Sequence, residues 1–186
     1  WFTYLGTQIG EDYVAANAIL INLVFLSAFI LDAYAFSTEG IVGYSLGKKD
    51  LNLFKNIVKN SFILSSISGL IISIIFFFTY NLVINLMSDI NEIRELSSSY
   101  AVWLIILPVI SSFCYQFDGI FIGASQTKEL RNAMIFSVFS YLLISILLIK
   151  FLFNTGIWIS LCIFMILRAV SLFYYLDKIY LRFRKN

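Results

Sequence analysis

The chain has 186 residues, of which 60% are hydrophobic, 18% are aromatic and only 13% are charged, with a formal net charge of +2. A soluble domain carries about 25% charged residues, because a polar surface must enclose its apolar core. This composition, with a mean hydropathy of +0.89, excludes an ordinary soluble domain and favours a protein surrounded by lipid. The nearly balanced charge gives no indication of nucleic-acid binding, and the absence of histidine excludes a His-based metal centre or catalytic triad.

Five apolar segments follow one another along the chain, at residues 15–46, 57–87, 99–124, 133–153 and 157–176. Each reaches the roughly 20 residues that a helix needs to cross about 30 Å of hydrocarbon. None alternates apolar and polar residues as the strands of a membrane barrel do. The sequence therefore predicts an all-α, polytopic helical bundle that forms a single transmembrane domain over residues 1–186. Residues 1–6 resemble the end of a sixth helix, so we expect the chain to be a fragment.

The connections between these segments differ in charge. A basic connection is predicted from Gly47 to about Asn60, an acidic one near residues 88–95, a second basic one at residues 125–131, a tight turn at 154–156 and a basic tail at 177–186. One side of the bundle thereby collects Lys48, Lys49, Lys55, Lys59, Lys128, Arg131, Lys178, Arg182, Arg184 and Lys185, and the other side only Arg94 and Lys150. Since basic loops remain in the cytoplasm, we predict a multi-pass plasma-membrane protein with a cytoplasmic C-terminus.

The two cysteines, Cys114 and Cys162, lie within apolar segments, where cysteine usually serves as a small apolar residue. We therefore expect neither a disulfide nor a metal site. The sequence contains no Gly-rich phosphate loop, catalytic serine motif or metal-ligand spacing. An intramembrane enzyme is the least favoured class, and no cofactor is predicted.

Four ionisable residues interrupt the apolar segments: Asp32, Glu39, Asp118 and Arg168. A charge inside a membrane costs roughly 2.5–3.5 kcal/mol on insertion scales, which makes each of them a functional candidate. Counting from the segment ends places Glu39, Asp118 and Arg168 at a common depth of about 10–14 Å, so the arginine can pair with one of the acids. Up to two carboxyls then stay unpaired, and we expect these to exchange protons or bind cations. The alternative is a purely structural network of salt bridges.

The two acids of the first segment belong to one helical stripe, Asp32, Phe36, Glu39, Gly43 and Gly47. The two glycines form a small-xxx-small pair, which is typical of closely packed membrane helices. We therefore expect this face to contact other helices.

A second stripe, in the third segment, contains Pro108, Ser111, Tyr115 and Asp118. Proline removes a backbone donor, so we predict a kink at Pro108, either as part of a gating or ion-binding helix or as a structural bend alone. Gly119 and Gly123 repeat the small-xxx-small spacing and predict a second close-packing face.

These motifs resemble a known family. The stretches YLG at residues 4–6, AANA at 15–18, LDAYAFSTEGIVG at 31–43, DGIFIGA at 118–124 and KELRNAM at 128–134 are similar to the DinF-like branch of the MATE (multidrug and toxic compound extrusion) transporters. The resemblance covers essentially the whole chain.

The resemblance implies a fold of twelve helices in two six-helix lobes, of which this chain would supply the end of helix 7 through helix 12. It implies a bacterial plasma-membrane antiporter that exports organic cations and amphipathic compounds in exchange for H⁺ or Na⁺. The partners would be the lipid bilayer, these small substrates and the missing N-terminal lobe. Asp118 is similar in position to an acid of helix 10 that contributes to cation binding in some branches, and Glu39 matches an acid common in helix 8. In the DinF-like branch, the coupling aspartates belong to the N-terminal lobe.

Two other functions fit a bundle of this kind. A lipid-linked saccharide flippase of the related superfamily would need a cationic cluster to hold pyrophosphate, and Arg168 is the one basic residue inside a predicted span. A non-transporting membrane subunit would require Glu39 and Asp118 for assembly and not for ion-coupled flux.

Overall fold

A computed structural model describes residues 1–184, except for the side chains of Arg182 and Arg184. Those two charges and Lys185, which belong to the predicted basic tail, therefore lie outside the described part. The helices are α1 (Phe2–Thr7), α2 (Glu11–Gly47), α3 (Leu51–Met87), α4 (Asn91–Ser99), α5 (Val102–Gly123) and α6 (Thr127–Arg184). Residues 1–184 contain no strand. Four helices, α2, α3, α5 and α6, are long and apolar enough to cross a membrane, which confirms the all-α membrane fold.

The connection between α2 and α3 is much shorter than the sequence indicated. The Asp50 side chain caps α3 by accepting a hydrogen bond from the Leu53 amide at 2.9 Å, so the helix begins at Leu51. The predicted basic connection to about Asn60 is therefore wrong. Lys55 and Lys59 lie on the exposed surface of the first turns of α3, because lysines at a membrane interface need only keep their ammonium groups in water.

The acidic connection contains a helix of its own. Helix α4 is amphipathic and begins after Ile90, and Arg94 fixes it to the end of α3 by donating to the carbonyls of Ser88 at 2.5 Å and Asn85 at 3.0 Å. The third membrane segment consequently begins at Val102 and not at Ser99.

Helix α6 is a hairpin of two antiparallel arms. The backbone leaves the helical region at Phe153, with φ 48° and ψ −130°. Lys178 Nζ lies 3.0 Å from Glu129 Oε1, although an unbroken helix would place residues 49 apart about 73 Å from each other. The fourth and fifth predicted segments are thus the two arms of α6. The turn between them begins at Phe153, one residue before the predicted turn at 154–156.

Helices α2 and α5 cross in backbone contact. A methyl group on Gly119 would overlap the Ala35 carbonyl, and one on Gly123 would overlap the Glu39 carbonyl, so both positions of α5 require glycine. The predicted close packing is confirmed for this pair. A methyl group on Gly43 would lie 3.4 Å from the Gly123 oxygen, in ordinary contact.

Close packing at Gly47 is a wrong prediction. Nothing lies within 4 Å of a methyl group at this position. Gly47 is the last residue of α2 and lies beyond the crossing, so the small-xxx-small spacing there has no neighbouring helix to contact.

The crossing and the α6 hairpin bring the basic residues to one end of the bundle. Gly43 approaches Gly123 near the C-terminal ends of α2 and α5, and the Lys178–Glu129 pair joins the two ends of α6. We call this the lysine-rich end; its described members include Lys48, Lys49, Lys55, Lys59, Lys128 and Lys178.

Pro108 lies inside α5, where it cannot donate a hydrogen bond to the preceding turn. The Ser73 hydroxyl of α3 donates to the nearby Ile105 carbonyl at 2.6 Å. A methyl group on Gly69 would lie 2.8 Å from the Pro108 oxygen, so α3 approaches α5 closely at the proline.

A neutral polar cluster joins α2 to the second arm of α6. Asn17 and Asn154 exchange two amide hydrogen bonds, at 2.6 and 3.1 Å, and the Trp158 indole donates to Asn17 Oδ1 at 3.0 Å. All three side chains are buried. We call this trio the asparagine cluster.

Candidate functional site

The site begins with two acids on α2. Asp32 and Glu39 are both partly buried, and Phe36 lies between them with 70% of its surface exposed. Neither carboxylate has an ion pair or side-chain hydrogen bond among the described residues. Phe36, Gly43 and Gly47 of the predicted stripe are exposed, so only part of this face contacts other helices, and its acids line a space that the bundle leaves open.

Helix α5 brings a third acid to the same space. The glycine crossing presses Gly119 against Ala35 and Gly123 against Glu39, so the neighbouring Asp118 lies against α2. Only 9% of Asp118 is exposed. Residues without a side chain are required at the crossing because any larger residue would move Asp118 away from α2.

The second arm of α6 supplies the counter-charge. Arg168 Nη2 lies 2.7 Å from Asp118 Oδ2, and only 15% and 12% of the two side chains are exposed. The prediction that Arg168 pairs with one of the acids is confirmed, and the partner is Asp118. Asp32 lines the same cavity as Arg168 but does not form an ion pair with it.

The ion pair is incompletely satisfied. Asp118 Oδ1 and Arg168 Nε are both buried and have no hydrogen-bond partner within residues 1–184. Charged groups in a low-dielectric interior normally use all of their hydrogen-bonding atoms, because each unpaired one costs free energy. Both atoms are therefore available to a further group.

These side chains enclose a cavity of about 250 Å³. Its lining consists of Asp32, Ala35, Phe36, Glu39, Tyr115, Asp118, Gly119, Ile122, Leu130 and Arg168. We call it the ionic cavity. All four ionisable residues singled out by the sequence line it, and together they carry two net negative charges when all are ionised. The acids do not converge into a group of three that could hold a metal ion within the described part of the chain.

Pro108 does not reach the ionic cavity. It precedes Asp118 by ten residues, about 15 Å along the helix, and lies against Gly69 of α3. A role in gating remains a prediction.

The sequence interpretation missed a buried glutamine beside the site. Gln116 is fully buried, and its Oε1 accepts a hydrogen bond from the Thr38 hydroxyl at 2.9 Å, while the same hydroxyl lies 2.8 Å from the Tyr34 carbonyl. Gln116 Nε2 is buried and has no hydrogen-bond partner among the described residues. The sequence contains a signal for this residue, because a glutamine inside an apolar segment, two residues before Asp118, costs free energy in a membrane unless it is paired.

The family model MatE matches residues 2–149. The chain is 32% identical over 170 residues to DNA damage-inducible protein F of Escherichia coli (strain K12), an alignment that covers 91% of this chain and 37% of the relative. The chain thus spans little more than a third of the length of that curated relative. No solved structure matches the chain.

Proposed function

This chain belongs to the MatE family of membrane transporters, and from that premise we propose that it is part of a secondary antiporter. In this proposal, the complete protein exports organic cations and other amphipathic compounds in exchange for H⁺ or Na⁺. The chain supplies the C-terminal lobe, and the rest of the transport path is formed by an N-terminal lobe of the same polypeptide. The bundle lies in a bacterial plasma membrane with its lysine-rich end in the cytoplasm, as the distribution of basic residues favours.

The ionic cavity is the observation that carries this proposal. Three carboxylates and one guanidinium line a single space inside an otherwise apolar bundle. Such groups are expensive in a membrane and mark ion or proton pathways. The cost is not fully offset, because Asp118 Oδ1 and Arg168 Nε have no partner among the described residues.

The pairing of Asp118 with Arg168 suggests how exchange works. The Asp118 carboxylate carries a single negative charge. A proton or monovalent cation that binds it therefore competes with the Arg168 guanidinium. Arg168 is then free to interact with Asp32, which lines the same cavity. Two arrangements of one arginine between two acids are a bistable element, which alternating access requires.

The same pairing argues against a lipid-linked saccharide flippase. Such a protein needs free cationic groups to hold pyrophosphate, whereas Arg168 is already engaged by Asp118 at 2.7 Å.

The direct test is ion-driven export by amide variants of the complete protein. Asp118→Asn and Glu39→Gln remove one charge each from the ionic cavity with little change of shape. We expect uptake of a fluorescent organic cation into inverted membrane vesicles, where export from the cell becomes transport into the lumen, to fall at least about tenfold in Asp118→Asn under an imposed H⁺ or Na⁺ gradient, which is the loss expected when one essential charge interaction is removed.

Asp89→Asn is the matched control, because Asp89 is an exposed acid that pairs with Arg94 outside the cavity. Efflux should be unchanged in this variant. If Asp118→Asn and Glu39→Gln both export as well as the unmodified protein, the proposal is wrong. A loss of assembly in place of flux would indicate a non-transporting membrane subunit.

A further inference from the structure

A second cavity of about 390 Å³ lies between α3, α5 and the second arm of α6. Its lining consists of Phe62, Phe113, Phe117, Ala169, Val170 and Phe173, and we call it the aromatic groove. The rings pack against one another, with Phe62 stacked on Phe113 at 6.1 Å and edge-on to Phe117 at 4.9 Å. The groove contains no polar side chain within residues 1–184.

The aromatic groove faces away from the ionic cavity. On α5, positions 113 and 117 lie about 160° around the helix from position 115, which lines the ionic cavity. On α6, positions 170 and 173 likewise lie roughly 140–160° from Arg168. Phe113 and Phe173 are 43% and 62% exposed, so the groove opens outward from the bundle. In a membrane, that opening meets lipid.

Two lysines stand at one end of the groove. Lys55 and Lys59 precede Phe62 by two turns and one turn of α3, so all three share one side of the helix. Both lysines are exposed, and neither forms an ion pair among the described residues. Lys178, by contrast, is engaged by Glu129. Two lysines without ion-pair partners in the described part of the chain therefore lie at the lysine-rich end of the groove, and the aromatic lining begins about one helical turn deeper.

We propose that the aromatic groove binds one acyl chain of an anionic phospholipid whose phosphate is held by Lys55 and Lys59. The chemistry of the lining fits a hydrocarbon chain, and the spacing of about 4.5 Å along the helix from Lys59 to Phe62 matches the step from headgroup to hydrocarbon. The two ammonium groups complement a phosphate of net negative charge, as clusters of interfacial lysines do. An amphipathic cation would fit the rings but would be repelled by the lysines.

The proposal does not depend on antiport. The groove is lined in part by α5 and the second arm of α6, the two elements that carry Asp118 and Arg168. A bound lipid would stabilise the spacing of those elements whichever solute the protein moves.

Native mass spectrometry of the complete, delipidated protein in detergent micelles tests the proposal. The probes are dioleoylphosphatidylglycerol and dioleoylphosphatidylcholine, which share their chains and differ in net charge. We expect a phosphatidylglycerol adduct that saturates at one lipid, and we expect Lys55→Gln/Lys59→Gln to weaken it about thirtyfold, the change that two lysine–phosphate contacts produce.

Lys48→Gln/Lys49→Gln is the matched control, because it removes the same charge from the same end of the bundle, away from the groove. It should weaken the adduct less than about threefold. Equal losses in the two double variants, or equal binding of the two lipids, would overturn the proposal, since general surface charge would then explain the binding.

The acyl chain is located by filling the groove. Ala169→Phe and Val170→Trp each place a larger side chain in its lining, and we expect both to weaken the phosphatidylglycerol adduct about tenfold. The Val170 side chain is 45% exposed, so Val170→Trp leaves the packed core unchanged. Unaltered binding in this variant would show that the chain does not enter the groove.

Discussion

The asparagine cluster and the ionic cavity are two polar sites inside the same apolar bundle, and they are built in opposite ways. In the asparagine cluster, two amides and one indole make three mutual hydrogen bonds between 2.6 and 3.1 Å. In the ionic cavity, a 2.7 Å ion pair leaves Asp118 Oδ1 and Arg168 Nε without partners among the described residues. The first site is neutral and closed, whereas the second is charged and open.

This difference distinguishes polar residues that stabilise the fold from polar residues that serve transport. A fully satisfied neutral network costs little in a membrane and fixes the packing of the helices that share it. A charged site with unsatisfied atoms lowers the stability of the protein. Such a site is retained when its unpaired atoms bind another group during function. Substitutions in the asparagine cluster should therefore reduce stability, and neutralising substitutions in the ionic cavity should reduce ion-coupled transport.

The ionic cavity depends first on the glycine crossing. In Gly119→Val, the side chain would overlap the Ala35 carbonyl and push α2 away from Asp118. We expect a loss of about 4 kcal/mol or more in the free energy of unfolding, at the upper end for overpacking. SDS unfolding in mixed micelles measures this quantity.

Gly40→Ala is the control for the crossing. Nothing lies within 4 Å of a methyl group at Gly40 in α2, so alanine should be neutral or should stabilise the helix by up to about 1 kcal/mol. Equal destabilisation by Gly40→Ala and Gly119→Val would contradict the backbone contact.

Removing Arg168 should test whether the ion pair contributes only through charge balance. Arg168→Met leaves Asp118 buried without a counter-charge, and we expect a cost of about 3 kcal/mol in SDS unfolding. The double variant Arg168→Met/Asp118→Leu removes both charges and should recover most of that loss. A double variant as unstable as the single one would show that packing, and not charge, accounts for the effect.

Substitutions in the asparagine cluster should lower the free energy of unfolding by a smaller amount. The transport activity per folded molecule should stay unchanged. Asn17→Leu leaves the Asn154 amide and the Trp158 indole unpaired, and we expect it to lower the free energy of unfolding by about 1–2 kcal/mol. Asn22→Leu on the exposed face of the same helix is the control and should have no measurable effect. Equal effects of Asn17→Leu and Asn22→Leu would show that the cluster has no special structural role.

The Lys178–Glu129 pair across the α6 hairpin should matter least. The Lys178 side chain is 54% exposed, and exposed ion pairs contribute below about 1 kcal/mol. Lys178→Met should therefore shift the melting temperature only slightly in heated samples analysed by size-exclusion chromatography. A large shift would mean that the pair holds the hairpin closed.

The sequence predicted the charged site better than the neutral one, for a physical reason. Asp32, Glu39, Asp118 and Arg168 are conspicuous because a charge in an apolar segment is expensive wherever it lies. Asn17, Asn154 and Trp158 are ordinary residues in such segments, and their value arises only from contacts 137 and 141 positions apart in the chain.

The boundaries of the helices were predicted less well than their number. Hydropathy treated Lys55 and Lys59 as part of a connection, although the capping side chain of Asp50 begins α3 before them. Gly47 had the right spacing for close packing, but spacing cannot show that α2 has already passed α5 at that point.

The central claim is that the ionic cavity couples transport while the asparagine cluster only stabilises the bundle. The most direct test compares ion-driven efflux per folded molecule for Asp118→Asn and Asn17→Leu in the complete protein, with folded protein quantified in the same vesicles. We expect Asn17→Leu to transport normally per folded molecule and Asp118→Asn to lose coupled efflux while remaining folded. Normal coupled efflux in Asp118→Asn, or an equal loss of specific activity in both variants, would contradict the claim.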